Sequence, residues 1–296
     1  MTDVWNRIAR LRDLRTGDRG DLWHRGMIDP AVRRLVGRVR GLRLLDLACG
    51  NGYLARSFAA RGAREVVGLD RSTASIRFAR ARERRRPRGV RFHVGVATAL
   101  PFPAASFDRV VANMALMDFE DAAGAIREVA RVLAPGGRFV FSVCHPCFDV
   151  DDRSAWSVER GYDAGGFYER VYRKVRRYRD ERRTRSPWRL PSGEVAWTEA
   201  FHRTLATYGR YLHDAGLAIA QLEEPLPDAE VVRASPQGPY LREIPLHLVV
   251  EAVPVAAATG GSRTPGRSRP GAARRSGSRA RSARTGSARP GARSGS

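Results

Sequence analysis

The chain has 296 residues, 43% of them hydrophobic, which is enough for one large domain with a sizeable core. It has no apolar run of about 18 residues and no apolar signal core, so we expect a cytoplasmic protein that does not cross a membrane. Its three cysteines exclude a disulfide framework, while a net charge of +22 leaves nucleic acid and anionic ligands open as partners.

The first segment, residues 1–41, is predicted to be helical and to form a lid on the domain that follows. Apolar residues recur in it at helical spacing, and Pro30 can open a second helix that ends at Gly41. Trp5 and the segment 23–25 (Trp-His-Arg) belong to this lid by their position alone.

In residues 42–255, short apolar runs alternate with segments whose apolar residues recur at helical spacing. This alternation predicts βαβ units around a parallel sheet. The alternation is broken by a polar, aromatic and arginine-rich insertion at 146–197, a kind of segment that often carries the functional surface of an α/β domain. After it, residues 198–215 are predicted as one helix with Phe201 and Leu205 on the same face. The predicted strands are 42–48, 65–69, 90–94, 107–112, 139–143, 217–222 and 246–253.

Residues 256–296 form a tail of Arg, Gly, Ser and Pro that we predict to be disordered. From residue 261 onward it contains ten arginines and no acid, a composition that cannot bury a core. It is either a dispensable extension or a weak, salt-sensitive contact for nucleic acid.

A Cys-x-x-Cys pattern occurs at Cys144 and Cys147. A redox site would need a helix starting after the first cysteine, and a zinc site would need two further ligands at suitable spacing. Neither is visible in the sequence, so no metal is expected.

The most informative motif is LLDLACGNGYLA at residues 44–55, which follows a predicted strand and opens a helix. Gly50 and Gly52 allow a tight turn and the close approach of a ligand to the backbone. Backbone N–H groups at a helix start also favour a carboxylate or phosphate. With Asp70 placed 20 residues after Gly50, the pattern also fits a dinucleotide-binding fingerprint.

Asp46 separates the two cofactors that this motif can serve. It lies at the end of the first predicted strand, four residues before Gly50. A carboxylate at this position repels the pyrophosphate of NAD but suits a cationic ligand with an amino group. S-adenosylmethionine (SAM) carries both a sulfonium and an ammonium group, so SAM is favoured over NAD.

These segments resemble the class I SAM-dependent methyltransferases, especially the small-molecule branch known as methyltransferase type 11 or 25. LLDLACGNGYLAR is similar to the first motif of that family and VVGLDRS (66–72) to the second, while residues 94–121 and 128–143 resemble the later motifs. The resemblance implies SAM as cofactor and a Rossmann-like α/β fold with a seven-stranded, mostly parallel sheet and helices on both faces. It also implies that Asp70 holds the ribose hydroxyls. The expected cofactor-binding residues are Asp46, Ala48, Gly50, Gly52, Asp70, Arg71, Ala97, Thr98 and Asn113.

One departure from the family concerns the adenine pocket. Many relatives have Gly-Asp-Ala after the third strand, whereas this chain has Gly95-Val96-Ala97. The missing carboxylate removes a hydrogen bond worth about 1 kcal/mol, for which backbone groups at Ala97 and Thr98 can compensate.

Two histidines are candidate catalytic bases. Methyl transfer mainly requires alignment of the reactants, and a base is needed only when the acceptor must lose a proton. His145 follows the fifth predicted strand at the carboxyl edge of the sheet, and His202 follows the insertion. A structural role is the alternative for each. Five aromatic residues of the insertion either form a wall against a planar acceptor or simply pack within the insertion. They are Tyr162, Phe167, Tyr168, Tyr172 and Trp188.

The leading functional hypothesis is methyl transfer to oxygen or nitrogen of a small metabolite, with an aromatic one suggested by the rings of the insertion. The loop Asn113-Met-Ala-Leu resembles the small-molecule branch and not the Asp/Asn-Pro-Pro-Tyr loop of amino-methylating relatives. An RNA methyltransferase that uses the arginines of 170–189 is one alternative. A SAM-binding regulatory protein without turnover is another. The sequence fixes neither the acceptor nor the oligomeric state.

Overall fold

The structure is a computed structural model that describes residues 2–255, so the predicted disordered tail at 256–296 lies outside the described residues. No helix within 2–255 is both long and apolar enough to cross a membrane. The helices are α1 (Thr2–Thr16), α2 (Asp29–Val36), α3 (Tyr53–Ala60), α4 (Thr73–Arg85), α5 (Ala122–Val132), α6 (Leu205–Asp214) and α7 (Ala229–Ala234). The strands are β1 (Arg43–Leu47), β2 (Glu65–Asp70), β3 (Val90–Val94), β4 (Phe107–Asn113), β5 (Leu133–Cys144), β6 (Ser154–Asp163), β7 (Gly166–Val175), β8 (Arg183–Arg189), β9 (Val195–Phe201), β10 (Leu217–Glu223) and β11 (His247–Pro254).

Seven of these strands form one sheet in the order β10-β11-β5-β4-β1-β2-β3. Neighbours from β5 to β3 pair in parallel, and β11 runs antiparallel to both β5 and β10. The α/β fold with a seven-stranded, mostly parallel sheet is therefore confirmed. The reversal of chain order between β4 and β1 places a crevice at the carboxyl ends of those strands, where open α/β sheets bind ligands.

Helices cover both faces of the sheet because alternate strand residues point to opposite sides. On β1, Leu45 and Leu47 belong to one hydrophobic core and Leu44 to the other. The first core also contains Ile126 of α5 and Leu212 of α6. The second core takes its helical residues from α2, α3 and α4, including Leu35, Leu54, Phe58 and Ile76.

The turn between β1 and α3 is left-handed at three alternate residues, with φ of 57° at Ala48, 56° at Gly50 and 76° at Gly52. A Cβ atom on Gly52 would lie 2.5 Å from the ring of Phe92, so glycine is needed there for packing. No described atom lies within 4 Å of a Cβ built on Gly50. One glycine therefore lets the chain pack, and the other leaves backbone open to a ligand.

The N-terminal lead-in is helical as predicted, but its second helix is shorter. A π-helix at His24–Ile28 leads into α2, which ends at Gly37 with φ of 70°. The predicted end at Gly41 was wrong because Gly37 already adopts the left-handed conformation that stops a helix.

The prediction of one helix over 198–215 was wrong in its first part. Phe201 ends strand β9, which pairs with β8, and α6 begins only at Leu205. Thr204 caps α6 by accepting a hydrogen bond from the N–H of Thr207. The insertion forms two hairpins, β6–β7 and β8–β9, and pairing with β8 overrides the helical spacing of Phe201 and Leu205.

The two glycines of the β1–α3 turn give a matched test of this packing. Gly50→Ala should lower the free energy of unfolding by about 1–2 kcal/mol, because alanine disfavours the left-handed conformation. Gly52→Ala should lose about 1–3 kcal/mol more, because its methyl group also collides with Phe92. Urea unfolding of both variants measures the difference, and equal losses would contradict the packing role of Gly52.

Candidate functional site

A first cavity of about 370 Å³ lies at the carboxyl ends of β1, β2 and β4. A side pocket of about 50 Å³ adjoins it and reaches Asp46. Eight of the nine predicted cofactor residues line the cavity or this side pocket, and Gly52 supports them through its contact with Phe92. The eight are Asp46, Ala48, Gly50, Asp70, Arg71, Ala97, Thr98 and Asn113.

Asp70 connects the end of β2 to the turn that follows β1. Its carboxylate accepts hydrogen bonds from the N–H groups of Gly50 and Ser72, each at 2.8 Å. Burial raises the pKa of Asp70, while these two N–H groups and nearby arginines act in the opposite direction. Asp70 therefore shapes the loop as well as lining the cavity.

Asp46 is 2% exposed and lies beneath the same loop. One of its oxygens accepts the N–H of Ala55 in α3 at 3.0 Å. Burial raises the pKa of Asp46 to about 8, with Asp29 and Asp70 adding to the shift. A buried carboxyl group of this kind binds a cationic group well, because a positive charge beside it restores the ionised form.

Asn113 is part of a buried polar network. Its Nδ2 donates to Asp29 at 2.9 Å and to the Tyr53 hydroxyl at 3.1 Å, and its Oδ1 accepts from Ser142 at 2.6 Å. Tyr53 also donates to Asp29 at 3.0 Å. These bonds hold the end of β4 against α2 and α3, so the side chain of Asn113 is committed to the fold.

Helix α1 covers the first cavity. Asp13 of α1 forms an ion pair with Arg82 of α4, which ties the two helices together. Trp5 and Arg12 line the cavity from this helix, and the Arg12 guanidinium stacks 5.4 Å from Trp5 and 5.8 Å from Trp188. The N-terminal segment thus supplies a wall of the site.

A second cavity, of about 380 Å³, lies beside the first and is bordered by the insertion. Four residues line both cavities and mark their junction: Trp5, Arg12, Met114 and Asp118. The remaining wall of the second cavity is rich in aromatic, thioether and polar groups, among them Met117, Cys144, Asp149, Asp151, Trp188, Phe201, His202 and Tyr208.

The two candidate histidines differ in position. His145 has both ring nitrogens engaged: Nδ1 accepts the N–H of Cys147 at 3.2 Å and Nε2 faces Glu224 at 3.0 Å. Burial lowers its pKa. His202 lines the second cavity, and its Nε2 donates to the carbonyl of Tyr178 at 2.8 Å. A structural role fits His145, and a role for His202 at the acceptor stays a prediction.

Of the five aromatic residues predicted as an acceptor wall, only Trp188 lines the second cavity. The others belong to hairpin β6–β7, where Tyr162 is 83% exposed and Phe167 59% exposed. The arginines of the insertion are largely paired with acids. Arg173 binds Asp149, and Arg182 binds Asp152. This pairing reduces the positive charge that is free to bind phosphate groups.

Several residues that shape the site were not singled out from the sequence. The position of Asp118 in the sequence could have indicated a site residue, since it follows β4 at the carboxyl edge of the sheet. Arg12 and Asp29 had none, because their positions depend on how the N-terminal helices fold back over the sheet.

The comparisons with known proteins point to one family. A family model described as a methyltransferase domain matches residues 45–141. The solved structure of an S-adenosylmethionine dependent methyltransferase from Mesorhizobium loti is 33% identical, with a TM-score of 0.60, over 75% of this chain and 95% of that one.

Curated relatives match over a shorter stretch. Demethylmenaquinone methyltransferase of Thermus thermophilus is 40% identical over 140 residues, which are 47% of this chain and 58% of the relative. Fatty-acid O-methyltransferase of Mycolicibacterium smegmatis is 36% identical over 118 residues, which are 38% of this chain and 41% of the relative. The chain therefore spans about half the length of the curated relatives it matches. The solved structure, by contrast, is matched over nearly its whole length, and the chain belongs to the class I SAM-dependent methyltransferases.

Proposed function

We propose that this chain transfers the methyl group of SAM to an oxygen or nitrogen atom of a small aromatic acceptor held in the second cavity. The observation that carries the proposal is the junction of the two cavities at Trp5, Arg12, Met114 and Asp118. Cavities of about 300–1,000 Å³ are typical of sites for small molecules, and both cavities fall at the lower end of that range.

The residues around the first cavity fit SAM. Asp70 has carboxylate lone pairs left for the ribose hydroxyls after it accepts two N–H groups. Asp46 offers a buried carboxyl to the ammonium group. The Nε of Arg71 is buried without a hydrogen-bond partner in the described part of the chain, so it is a donor that a polar group of SAM would satisfy. When bound, SAM supplies an electrophilic methyl group.

The adenine end of the first cavity is less polar than in many relatives. Val96, which stands where many relatives have the carboxylate, lines this cavity and is 46% exposed. Ala97 and Thr98 line the same cavity, and their backbone groups are the proposed partners of the adenine amino group.

The walls of the second cavity support an aromatic acceptor. Trp188 and Phe201 from the insertion and Tyr208 from α6 supply flat apolar surfaces, and Met114 and Met117 supply thioethers. Such groups pack well on planar rings. Alignment of the acceptor with the methyl group is the main contribution of the protein to the reaction.

The relatives support the cofactor more strongly than the acceptor. Their names refer to demethylmenaquinone and to fatty acids, which are chemically unlike. The family model ends at residue 141, before the two hairpins that border the second cavity. The acceptor must therefore be inferred from the cavity of this chain.

Cofactor binding can be tested by calorimetric titration with SAM. Asp46→Ala and Asp70→Ala should each weaken SAM binding at least about tenfold, or about 1.4 kcal/mol. Asp108→Ala is the matched control, since Asp108 pairs with Arg43 at the start of β1 and away from the cavity. No SAM binding by the wild-type protein would refute the proposed function.

SAM affinity should also depend on pH through Asp46. The pKa of this buried carboxyl is about 8, and an ammonium group binds its ionised form. Lowering the pH from about 7 to about 6 protonates more of the free protein, so affinity should fall about tenfold. Asp46→Asn should remove this dependence. A wild-type affinity that does not change over the same interval would show that Asp46 does not face the ammonium group.

Turnover distinguishes the alternatives. Purified protein supplied with SAM that carries a labelled methyl group should transfer the label to aromatic alcohols or amines. Label in RNA instead, with affinity falling steeply as salt rises, would support the RNA methyltransferase. Tight SAM binding without transfer to any acceptor would support the regulatory protein.

A further inference from the structure

Asp118 lies at the junction of the two cavities. It ends the short 3₁₀ turn Leu116–Asp118 that follows β4, and its side chain lines both cavities. Within residues 2–255, no group donates a hydrogen bond to its carboxylate, which is affected only by burial and by the charge of Arg12. A carboxylate that faces cavity space without a protein partner is available to a ligand.

The loop that carries Asp118 is held in place by Arg203. This arginine is 6% exposed and donates to the carbonyls of Leu116 at 3.3 Å, Phe119 at 2.6 Å and Glu120 at 2.9 Å. Three carbonyls bound by one guanidinium fix the backbone on both sides of Asp118. Its position at the junction is therefore built into the fold.

Three carboxylates line the second cavity, and Asp118 is the one that has no hydrogen-bond or ion-pair partner among the described residues. Asp149 is paired with Arg173, and Asp151 accepts from Thr184 at 3.2 Å. Burial raises the pKa of Asp118 to about 7, with Arg12 acting in the opposite direction. The titratable or charged groups that face the second cavity are Arg12, His24, Cys144, Asp149, Asp151, His202, Arg203 and Tyr208.

The charge at this junction selects among acceptor classes. A carboxylate acceptor has no proton to lose and would be repelled by Asp118, Asp149 and Asp151. A neutral amine attacks without first losing a proton. A neutral hydroxyl becomes a strong nucleophile only as its proton leaves, and a base with a pKa near the working pH serves that need best.

We propose that Asp118 is the catalytic base of this protein and that its acceptor is a neutral aromatic alcohol; the proposal rests on the proposed function. The acceptor oxygen forms a bond to the methyl carbon of SAM as the carbon–sulfur bond breaks and its electron pair stays on sulfur. The hydroxyl proton passes to the Asp118 carboxylate. The products are an aryl methyl ether and S-adenosylhomocysteine, so atoms and charge balance.

A binding experiment tests Asp118 without turnover. The probe is 2-naphthol, a planar alcohol, and its control is 2-methoxynaphthalene, which has the same ring but no hydroxyl proton. Both are titrated at about pH 8 into protein saturated with S-adenosylhomocysteine. Asp118→Asn should bind 2-naphthol about 10–100-fold more weakly than wild type, as expected for a lost hydrogen bond to a charged group. Its affinity for 2-methoxynaphthalene should change less than about threefold.

Methyl transfer provides the second readout. With labelled SAM, wild-type protein should methylate 2-naphthol faster than 2-naphthylamine and should not methylate 2-naphthoate, with activity toward 2-naphthol falling as the pH drops below about 7. Asp118→Asn should lose at least about 100-fold in kcat, and Asp118→Glu should keep part of the activity. Asp152→Asn is the control, because Asp152 is an exposed acid paired with Arg182 on the surface.

SAM titration of each variant shows whether a failure concerns SAM binding or the role of Asp118. If the wild type does not bind SAM, the proposed function itself fails. If it binds SAM but not 2-naphthol, or methylates only the amine or the carboxylate, the alcohol class is wrong. If Asp118→Asn binds SAM normally and still methylates 2-naphthol at the wild-type rate, Asp118 is not the base.

Discussion

The contact between Asp70 and the turn after β1 organises the site. The carboxylate of Asp70 accepts a hydrogen bond from the N–H of Gly50, and the N–H of Cys49 donates to the carbonyl of Leu69 at 3.0 Å. These two bonds attach the turn to the end of β2. This attachment requires left-handed backbone at alternate residues, which glycine provides at two of them. With the turn fixed, the open backbone of Gly50 and the carboxyls of Asp46 and Asp70 surround one cavity.

The same constraint explains why the residues around the first cavity could be predicted from the sequence. Asp46, Gly50 and Gly52 lie within one turn, and Asp70 ends the next strand, so local spacing determines their arrangement. The seven-stranded sheet follows from short apolar runs that alternate with helices. Gly52 is the instructive case: the sequence indicates a ligand, whereas the structure shows that this glycine makes room for Phe92.

The second cavity could not be predicted because it depends on contacts between distant segments. Helix α1 is held at the cavity by contacts with distant segments, among them the ion pair of Asp13 with Arg82, 69 residues away. Arg203 fixes the loop around Asp118 from 80 to 90 residues away in sequence, and it follows a strand that the helical spacing of Phe201 concealed. The aromatic residues of hairpin β6–β7 look suitable in the sequence, yet none of them lines the second cavity.

Asp46 and Asp118 both have raised pKa values, but their surroundings differ. Asp46 is 2% exposed and bonded to the helix that follows it, so only a group that brings positive charge into the side pocket can ionise it favourably. Asp118 faces two cavities and has Arg12 nearby, so it can exchange a proton near neutral pH. The proposed roles, cation binding at Asp46 and proton removal at Asp118, both need a desolvated carboxyl, and residues of helix α1 line the pockets of both. The lead-in helix thus belongs to the chemistry of the site as much as the sheet does, because without it water would reach both acids and lower their pKa values toward those of exposed carboxyls.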